Sequence, residues 1–430
     1  MLSPMKTVAY RRTLALVVTL CASAPAFAVA TEVSTDISSG TISLRQVMEF
    51  VQRDNPEILA AHKRWESAQK RIAQAATPDK PRFDIERMYA PVARGVMNGA
   101  EEKNIAVSQE IPFPTTLYLQ RSRAAKEAEI AEQSYQAKIR DVTARARSAY
   151  ATLFLSYRSL EIFEENIEIM RRFSKVAESK YAAGHSTQLD ALKAQVELTK
   201  MLNMSVELEQ EKQISQAMLN ALLNREAQAA LGAPTDPDPG TLSLKLDELQ
   251  ATALARRPEL RAAFLSAERA GTSLSIARSS YLPDLMLQYR WRNDPMLGNS
   301  NDAVLGFSLP LWFWKPAAMV SEAKADKEMA EAELQAMKVD TSAELATAWL
   351  RTQTAKRLAD IYRTSVLPQT NEALKVAEAG YQSDRSSFLD LLDAQRSLLN
   401  FRLEYYRYLA EYEQRLAELE RIAGKELSTL

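Results

Sequence analysis

The stretch KVAESKYAAGHSTQLDALKAQVEL, residues 175–198, recurs as KVAEAGYQSDRSSFLDLLDAQRSL at residues 375–398. The two copies align without a gap and agree at 12 of 24 positions, whereas composition alone would give about two matches. An internal repeat of this kind indicates that both halves of the chain are built on one structural plan. The fold can therefore be predicted from what surrounds each copy.

Long runs without proline or glycine flank both copies. The first extends from Thr115 to Ala183, 69 residues, and a continuous helix of that length would measure about 100 Å at a rise of about 1.5 Å per residue. A second run, 185–231, follows it, and matching runs at 317–367 and 381–423 flank the second copy. Each half is therefore predicted to form a long antiparallel coiled-coil hairpin.

The repeated stretch is predicted to be the tip of each hairpin, near 184 and 384. Gly184 suits the left-handed conformation that ends many helices, and Asp384 at the matching position is among the few other residue types that tolerate it. Three residues later, each copy has a capping box that would satisfy the free amides of the returning helix. The two boxes are Thr187 with Asp190 and Ser387 with Asp390.

Between the helices lie segments with a period of two, which predicts strands with one apolar face. In LMLQYRWR, 285–292, and its return AVLGFSLP, 303–310, the alternation predicts a β-hairpin over about 284–310. A less regular pair predicts a second β-hairpin over about 82–112, and these lengths approach the roughly 9–11 residues of a membrane strand. The predicted membrane-facing residues are Leu285, Leu287, Tyr289 and Trp291.

The N-terminus has the features of a secretory signal. Three basic residues precede the apolar run 13–21, and the small-residue site Ala26-Phe27-Ala28 follows it, which predicts a signal peptide over residues 1–28. Cys21, the only cysteine, offers the alternative of a lipid-modified N-terminus. The bulky Leu20 before it makes the lipid anchor the less favoured interpretation.

Composition argues against several functional classes. Removing the three basic residues of the signal lowers the formal net charge from −1 to −4, which argues against nucleic acid as a partner. The chain has two histidines, His62 and His185, and no recognisable catalytic motif, so we expect neither an enzyme nor a cofactor. His185 stands beside serine and threonine without a cluster of ligands, so no metal site is predicted there.

The predicted architecture is mainly α with a small β part, in two structural repeats, 29–231 and 247–430, joined by a linker at 232–246. Each repeat holds a shorter helix, a β-hairpin and a long helical hairpin, with the shorter helices at about 43–77 and 247–282.

Four strands from one chain cannot close a barrel, and an open sheet edge is not tolerated in lipid. Several chains would therefore have to share the barrel, and three copies would supply 12 strands. The alternative is an ordinary sheet in a soluble periplasmic protein. Tyr289 and Trp291 on the apolar face favour the membrane.

Taken together, these segments resemble the TolC family of outer-membrane efflux proteins. The resemblance rests on SLRQVMEFVQRDNPEI (43–58), the strand ends EIPFP (110–114) and SLPLW (308–312), VLPQ (366–369), and the two tips. It implies a homotrimer in which a 12-stranded transmembrane β-barrel crosses the outer membrane and continues as a periplasmic α-barrel. The tips would close this tunnel and dock a periplasmic adaptor and an inner-membrane resistance-nodulation-division pump.

The resemblance also implies which residues form the pore constriction. Asp390 and Asp393 match the positions that form carboxylate rings, and their i, i+3 spacing places both on one helix face. Asp390 is equally explained as the acid of its capping box, whereas Asp393 is not, and its counterpart in the first copy is Lys193. Tyr381 matches a tyrosine that latches the entrance, with Asp190 as its partner, although a core aromatic is an alternative for Tyr381.

The residues at the tips themselves are predicted to contact the adaptor, because tips are what an adaptor can reach. They are Gly184, His185, Ser186, Asp384 and Arg385. The expected function is a passive exit duct for small toxic solutes, metal ions or drugs, with an outer-membrane location. The alternatives are an exit channel for type I protein secretion and a periplasmic coiled-coil adaptor or scaffold. The sequence leaves the transported substrate open.

Overall fold

The computed structural model describes residues 40–90, 100–237, 245–294 and 298–427. The predicted signal peptide, its alternative at Cys21 and part of the predicted linker lie outside these residues. Ile37–Leu430 forms one compact unit, so the described parts of the two repeats pack within a single body.

Within the residues that the structure describes, the first half contains four helices. A two-residue strand, β1 (Thr41–Ile42), precedes them, and β4 (Ala233–Pro234) pairs with it in parallel at the end of this half. The remaining elements are α1 (Leu44–Asp54), α2 (Pro56–Ala75), β2 (Arg82–Ala90), β3 (Ala100–Ile111), α3 (Pro114–Ala182) and α4 (Gln188–Leu222).

The second half repeats this order, with its long helix divided by a short π-helix. Its elements are α5 (Leu246–Arg256), α6 (Pro258–Ser279), β5 (Asp284–Asp294), β6 (Gly298–Ser308), α7 (Trp314–Ile361), the π-helix (Tyr362–Val366), α8 (Leu367–Gln382) and α9 (Phe388–Ala423). In the described part of the chain, no helix combines the length and the apolar character needed to cross a bilayer.

The two shorter predicted helices are each broken in two, which the sequence prediction missed. Asn55 has ψ 125° and caps α2 by accepting a hydrogen bond from the Glu57 amide at 2.9 Å. Arg257 has ψ 119° before Pro258. Proline disfavours a helical conformation in the residue before it, so both helices end there and restart at the proline.

The π-helix has a similar origin. Pro368 lacks an amide hydrogen, and its ring would collide with the carbonyl of Thr364 in a regular α-helix. The chain instead widens over Tyr362–Val366 before α8 continues to the tip. The helix of the first half, α3, runs 69 residues without such a break.

The four long strands form one antiparallel sheet in the order β2-β3-β5-β6. Both predicted β-hairpins are present, and β3 pairs with β5, which joins the two halves of the chain. Within the described residues, β2 and β6 each pair on one side only, so they are the open edges of the sheet.

A buried ionic cluster near the middle of α3 joins the two halves of the chain. Arg147 on α3 is 7% exposed and lies 2.9 Å from Glu413 and 2.6 Å from Glu420, both on α9. Because the cluster is buried, each charge depends on the others for the solvation that water would otherwise provide.

We expect Arg147→Met to lower the free energy of unfolding by about 3–5 kcal/mol, since it leaves the buried Glu413 and the partly buried Glu420 without their cation. Arg45→Met is the matched control, because Arg45 forms an exposed pair with Glu49 and should change stability by less than about 1 kcal/mol. Urea denaturation of the detergent-solubilised protein measures both. Equal effects of the two substitutions would contradict a stabilising role for the buried cluster.

Candidate functional site

The two hairpin tips adopt the same turn. Gly184 has φ +77° and Asp384 has φ +59°, so the left-handed conformation predicted for both is confirmed. In the first tip the His185 amide donates to the Lys180 carbonyl at 2.8 Å, and in the second the Arg385 amide donates to the Gly380 carbonyl at 2.8 Å. The duplication in sequence is therefore a duplication of one helix-ending motif.

Both predicted capping boxes are present. The Ser387 amide donates to the Asp390 carboxylate at 2.9 Å, and the Asp390 amide donates to the Ser387 hydroxyl oxygen at 3.2 Å. Thr187 and Asp190 make the corresponding pair in the first tip. The hydrogen bonds from the Ser387 hydroxyl and amide lower the pKa of Asp390 below its usual value. Asp390 therefore has the structural role that the sequence offered as its alternative explanation.

Asp393 has no such local role. Its side chain is 72% exposed and lies 3.8 Å from the Arg396 guanidinium. Arg396 is engaged more closely by Glu197 on α4, at 2.5 Å, which links the two helical hairpins. Asp393 is thus an exposed carboxylate one turn beyond the cap, on the same face of α9 as Asp390.

Tyr381 lies in the apolar core of the tip. It is 6% exposed, its ring centroid is 5.5 Å from that of Phe388, and the Lys180 ammonium lies 4.6 Å from its centroid. Burial raises the pKa of the Tyr381 hydroxyl, while the adjacent Ser186 and Lys180 lower it. The core interpretation of Tyr381 therefore describes its position in this chain.

The predicted direct pairing of Tyr381 with Asp190 is not formed in the structure. The Asp190 carboxylate accepts hydrogen bonds from the hydroxyls of Ser186 at 2.9 Å and Thr187 at 3.0 Å. Capping the helix uses the carboxylate locally, and the buried Tyr381 hydroxyl has no hydrogen-bond partner among the described residues.

An ion pair between the tips was not predicted from the sequence. The Lys180 ammonium lies 2.5 Å from the Asp384 carboxylate and donates to the Tyr381 carbonyl at 2.5 Å. The Lys180 cation lowers the pKa of Asp384. The sequence signal for this ion pair lies in the aligned repeats, where Lys180 aligns with Gly380 and Gly184 aligns with Asp384. The two copies therefore differ at the two positions whose side chains form the ion pair.

The predicted adaptor-contact residues lie at the surface of the tips. Gly184, His185, Asp384 and Arg385 are exposed, whereas Ser186 is half-buried. Among the residues that the structure describes, no group of three or more His, Cys, Asp and Glu side chains is arranged to hold a metal ion.

At the other end of the long helices, the sheet presents a mainly apolar face, interrupted by Gln109 beside Leu287 and by Asn301 beside Trp291. Directly paired residues of antiparallel strands share a face, and Val107, Tyr289 and Ala303 form one such row, with Phe83 paired to Val107. Tyr289 is 53% exposed and Phe83 is 69% exposed. The other predicted membrane-facing residues, Leu285, Leu287 and Trp291, belong to the same face and are half-buried or exposed.

The sequence is similar to a known protein family and to known transport proteins. The family model "Outer membrane efflux protein" matches residues 49–225 and 249–425, one segment in each half. The chain is 24% identical over 400 residues to CzcC, a cobalt-zinc-cadmium resistance protein of Cupriavidus metallidurans, covering 90% of this chain and 91% of CzcC. It is also 24% identical over 388 residues to OpmQ, a pyoverdine export outer membrane protein of Pseudomonas putida, covering 83% and 80%.

Among solved structures, the fold is similar to that of CusC, which was studied for transmembrane channel formation. The TM-score is 0.80 at 16% identity, covering 94% of this chain and 98% of that chain. This likeness concerns the fold, and it extends over both halves of the molecule.

We expect Lys180→Met to loosen the tips, because it removes both the ion pair with Asp384 and the bond to the Tyr381 carbonyl. Hydrogen–deuterium exchange in peptides covering 380–390 should become several-fold faster. Lys175→Met is the control, since Lys175 is exposed one and a half turns earlier on α3 and loses the same charge.

The pH dependence follows from the direction of the pKa shift. Because the folded state lowers the pKa of Asp384 from 3.8, the ion pair is present at neutral pH and is lost as the pH falls through the lowered pKa.

Hydrogen–deuterium exchange that is equally fast in Lys180→Met and Lys175→Met, or unchanged in Lys180→Met, would show that the ion pair does not hold the tips.

Proposed function

The chain belongs to the outer membrane efflux protein family, and we propose that it is the homotrimeric exit duct of a tripartite efflux system. The strands would form the membrane-spanning part, and the helical hairpins would extend into the periplasm. A periplasmic adaptor and an inner-membrane resistance-nodulation-division pump would dock at the tips. The protein acts in efflux at the outer membrane, and this transport requires no bond-making residue.

The open sheet is the observation that carries the proposal. Its apolar face is exposed in the single chain, and its two edge strands, β2 and β6, leave backbone groups without partners in the described residues. In a bilayer each such group costs several kcal/mol, so the edges must meet strands of other copies. With four strands per sheet, three copies would form a closed barrel of 12 strands.

The apolar face of the sheet also distinguishes an exit duct from a periplasmic scaffold. A periplasmic adaptor or scaffold made of coiled coils has no need for an apolar sheet at the end of its long helices. In water, an exposed apolar face such as that of Phe83, Ile85 and Tyr289 would be an aggregation liability. In lipid the same face is buried and stabilising.

The constriction is proposed to lie on the second helical hairpin. Asp390 and Asp393 are both exposed on α9, and in a trimer each would form a ring of three carboxylates. The negative charge of such rings would attract cations. The first hairpin has Lys193 at the position of Asp393, so a ring there would have the opposite charge.

The proposed cargo is a small toxic solute, a metal ion or a drug. The names of the two relatives point to different cargo, cobalt, zinc and cadmium for CzcC and pyoverdine for OpmQ. Sequence identity to this chain is 24% for both relatives and does not favour either cargo. We propose that the inner-membrane pump selects the substrate and that the duct supplies a passive path.

We expect Asp393→Asn to reduce the cation preference of the reconstituted channel several-fold, because it removes one carboxylate per protomer from the proposed constriction. Single-channel recording in a planar bilayer measures the reversal potential in a salt gradient. Asp393 is the sharper choice than Asp390, whose substitution would also remove the acid of a capping box.

Lys193→Gln is the matched control at the equivalent position of the first hairpin. It should leave the cation preference unchanged if the second hairpin lines the pore. A change in Lys193→Gln together with no change in Asp393→Asn would move the constriction to the first hairpin. No conductance from a folded trimer, with or without Asp393, would argue against the carboxylate gate.

The trimeric barrel predicts that β6 of one copy lies beside β2 of the next. We expect Phe83→Cys, combined in separate proteins with Ala303→Cys, Leu305→Cys or Phe307→Cys, to give a disulfide-linked ladder up to three chains in at least one combination. Non-reducing gel electrophoresis after oxidation detects the ladder. Single cysteine variants are the control. They can link at most two chains, so a three-chain species in the double variant indicates pairing of the edge strands and not random contact.

A further inference from the structure

The connection from β6 to α7 carries an unusual exposed aromatic segment. Leu309, Leu311, Trp312, Phe313 and Trp314 are each 65–69% exposed. The indole rings of Trp312 and Trp314 contact each other, with centroids 5.2 Å apart. Exposed large apolar residues at this density mark a surface that is covered in the functional state.

The turn itself does not require these residues. The corresponding connection of the first half is shorter: Pro112 and Phe113 lie between β3 and α3, whereas residues 309–313 lie between β6 and α7. The matching strand ends EIPFP (110–114) and SLPLW (308–312) align Pro114 with Trp312, and the first connection contains no tryptophan. Phe113 is half-buried, and its amide donates to the Asp284 carboxylate at 3.3 Å. Tryptophan at 312 and 314 therefore has a role beyond forming the turn.

The height of the apolar face of the sheet indicates the role of Trp312 and Trp314. The apolar rows of the sheet extend from the Leu285 row to the Trp291 row. These six residue steps span about 20 Å along the strand at about 3.4 Å per residue, or about 15 Å along the membrane normal at a tilt of about 40°. An outer-membrane barrel presents an apolar band of about 25 Å, so roughly 10 Å is missing.

The missing height lies on the helix side, because polar residues such as Asn293 and Asn299 follow the Trp291 row on the other side. About four more residues beyond Phe307 would complete the band at the same rise and tilt. This count ends at Leu311, and Trp312–Trp314 come next. Indole rings prefer the boundary between acyl chains and headgroups, where the ring is buried and its N–H is hydrated.

Cationic residues lie near the same end of the sheet, where the strands connect to the helices. Lys315 directly follows the aromatic segment and is exposed, as are Lys80 before β2 and Arg121 in the second turn of α3. Tyr118, 71% exposed, is also on α3 near its start. Aromatic rings together with cations suit a surface of lipid phosphates.

We propose that Leu309–Trp314 is a membrane anchor that binds the headgroup region of the periplasmic leaflet and sets the depth of the sheet in the bilayer. This inference rests on the proposed function, since it places the sheet in the outer membrane. It adds a lipid-binding surface that lies outside the strands and is present in one repeat only.

The test uses the full mature chain in phospholipid vesicles, with a single tryptophan retained at 312, at 291 or at 65 and phenylalanine at the other tryptophan positions. Lipids brominated near the carbonyl or near the chain end report depth by quenching. We expect the lipid brominated near the carbonyl to quench Trp312 fluorescence more strongly than the lipid brominated near the chain end. Trp65, on α2, should respond only to aqueous acrylamide.

Two results would overturn the anchor while leaving the membrane sheet in place. If Trp312 responds to acrylamide like Trp65 while Trp291 is quenched by bromolipid, the segment lies in water. If Trp312 resists both quenchers, the segment lies against a second copy of the chain. If neither Trp312 nor Trp291 is quenched by bromolipid, both the anchor and the proposed function fail.

The double substitution Trp312→Phe with Trp314→Phe provides a second readout with the three other tryptophans kept. The shallow bromolipid component should decrease, and the remaining shallow quenching should come from Trp291, which lies at the opposite edge of the apolar band. If the shallow component is unchanged, the segment does not contribute to it and the proposal is wrong.

Discussion

The need of backbone amides and carbonyls for hydrogen-bond partners governs this molecule. Four strands satisfy each other only in the interior of the sheet, and the described chain leaves β2 and β6 open at the edges. An apolar face that favours lipid makes these edges more costly, because no water is available there to satisfy them. The proposed trimer follows from this constraint, and the long helices then have to surround a common axis.

The duplication gives the molecule two equivalent hairpins, and the differences between the copies indicate how the equivalence is used. Lys180 and Asp384 occur where the other copy has glycine, and they form an ion pair between the tips. Asp393 stands where the first copy has Lys193, and the connection that carries Trp312 and Trp314 has a shorter counterpart without tryptophan in the first half. The shared residues form turns and caps, whereas the divergent Lys180 and Asp384 form a contact that joins one tip to the other.

Local rules predicted the local features well. The left-handed residues at 184 and 384, the capping boxes and the two β-hairpins depend on neighbouring residues, so sequence patterns were sufficient, and the family resemblance is confirmed. The Lys180–Asp384 pair and the burial of Tyr381 depend on packing between segments about two hundred residues apart, which periodicity does not encode. The breaks before Pro56 and Pro258 could have been predicted from the rule for residues preceding proline.

The contacts between the halves change in kind along the helical hairpins. Midway along α3, the halves are joined by the buried Arg147 cluster, whose disruption exposes uncompensated charge and is strongly resisted. At the tips, the halves are joined by the apolar core around Tyr381 and Phe388 and by the ion pair between Lys180 and the exposed Asp384. Water can replace the exposed pair at little cost, but not the apolar core. Opening the proposed entrance would therefore break the ion pair easily and would require the apolar core of the tip to repack, while the Arg147 cluster keeps the halves together.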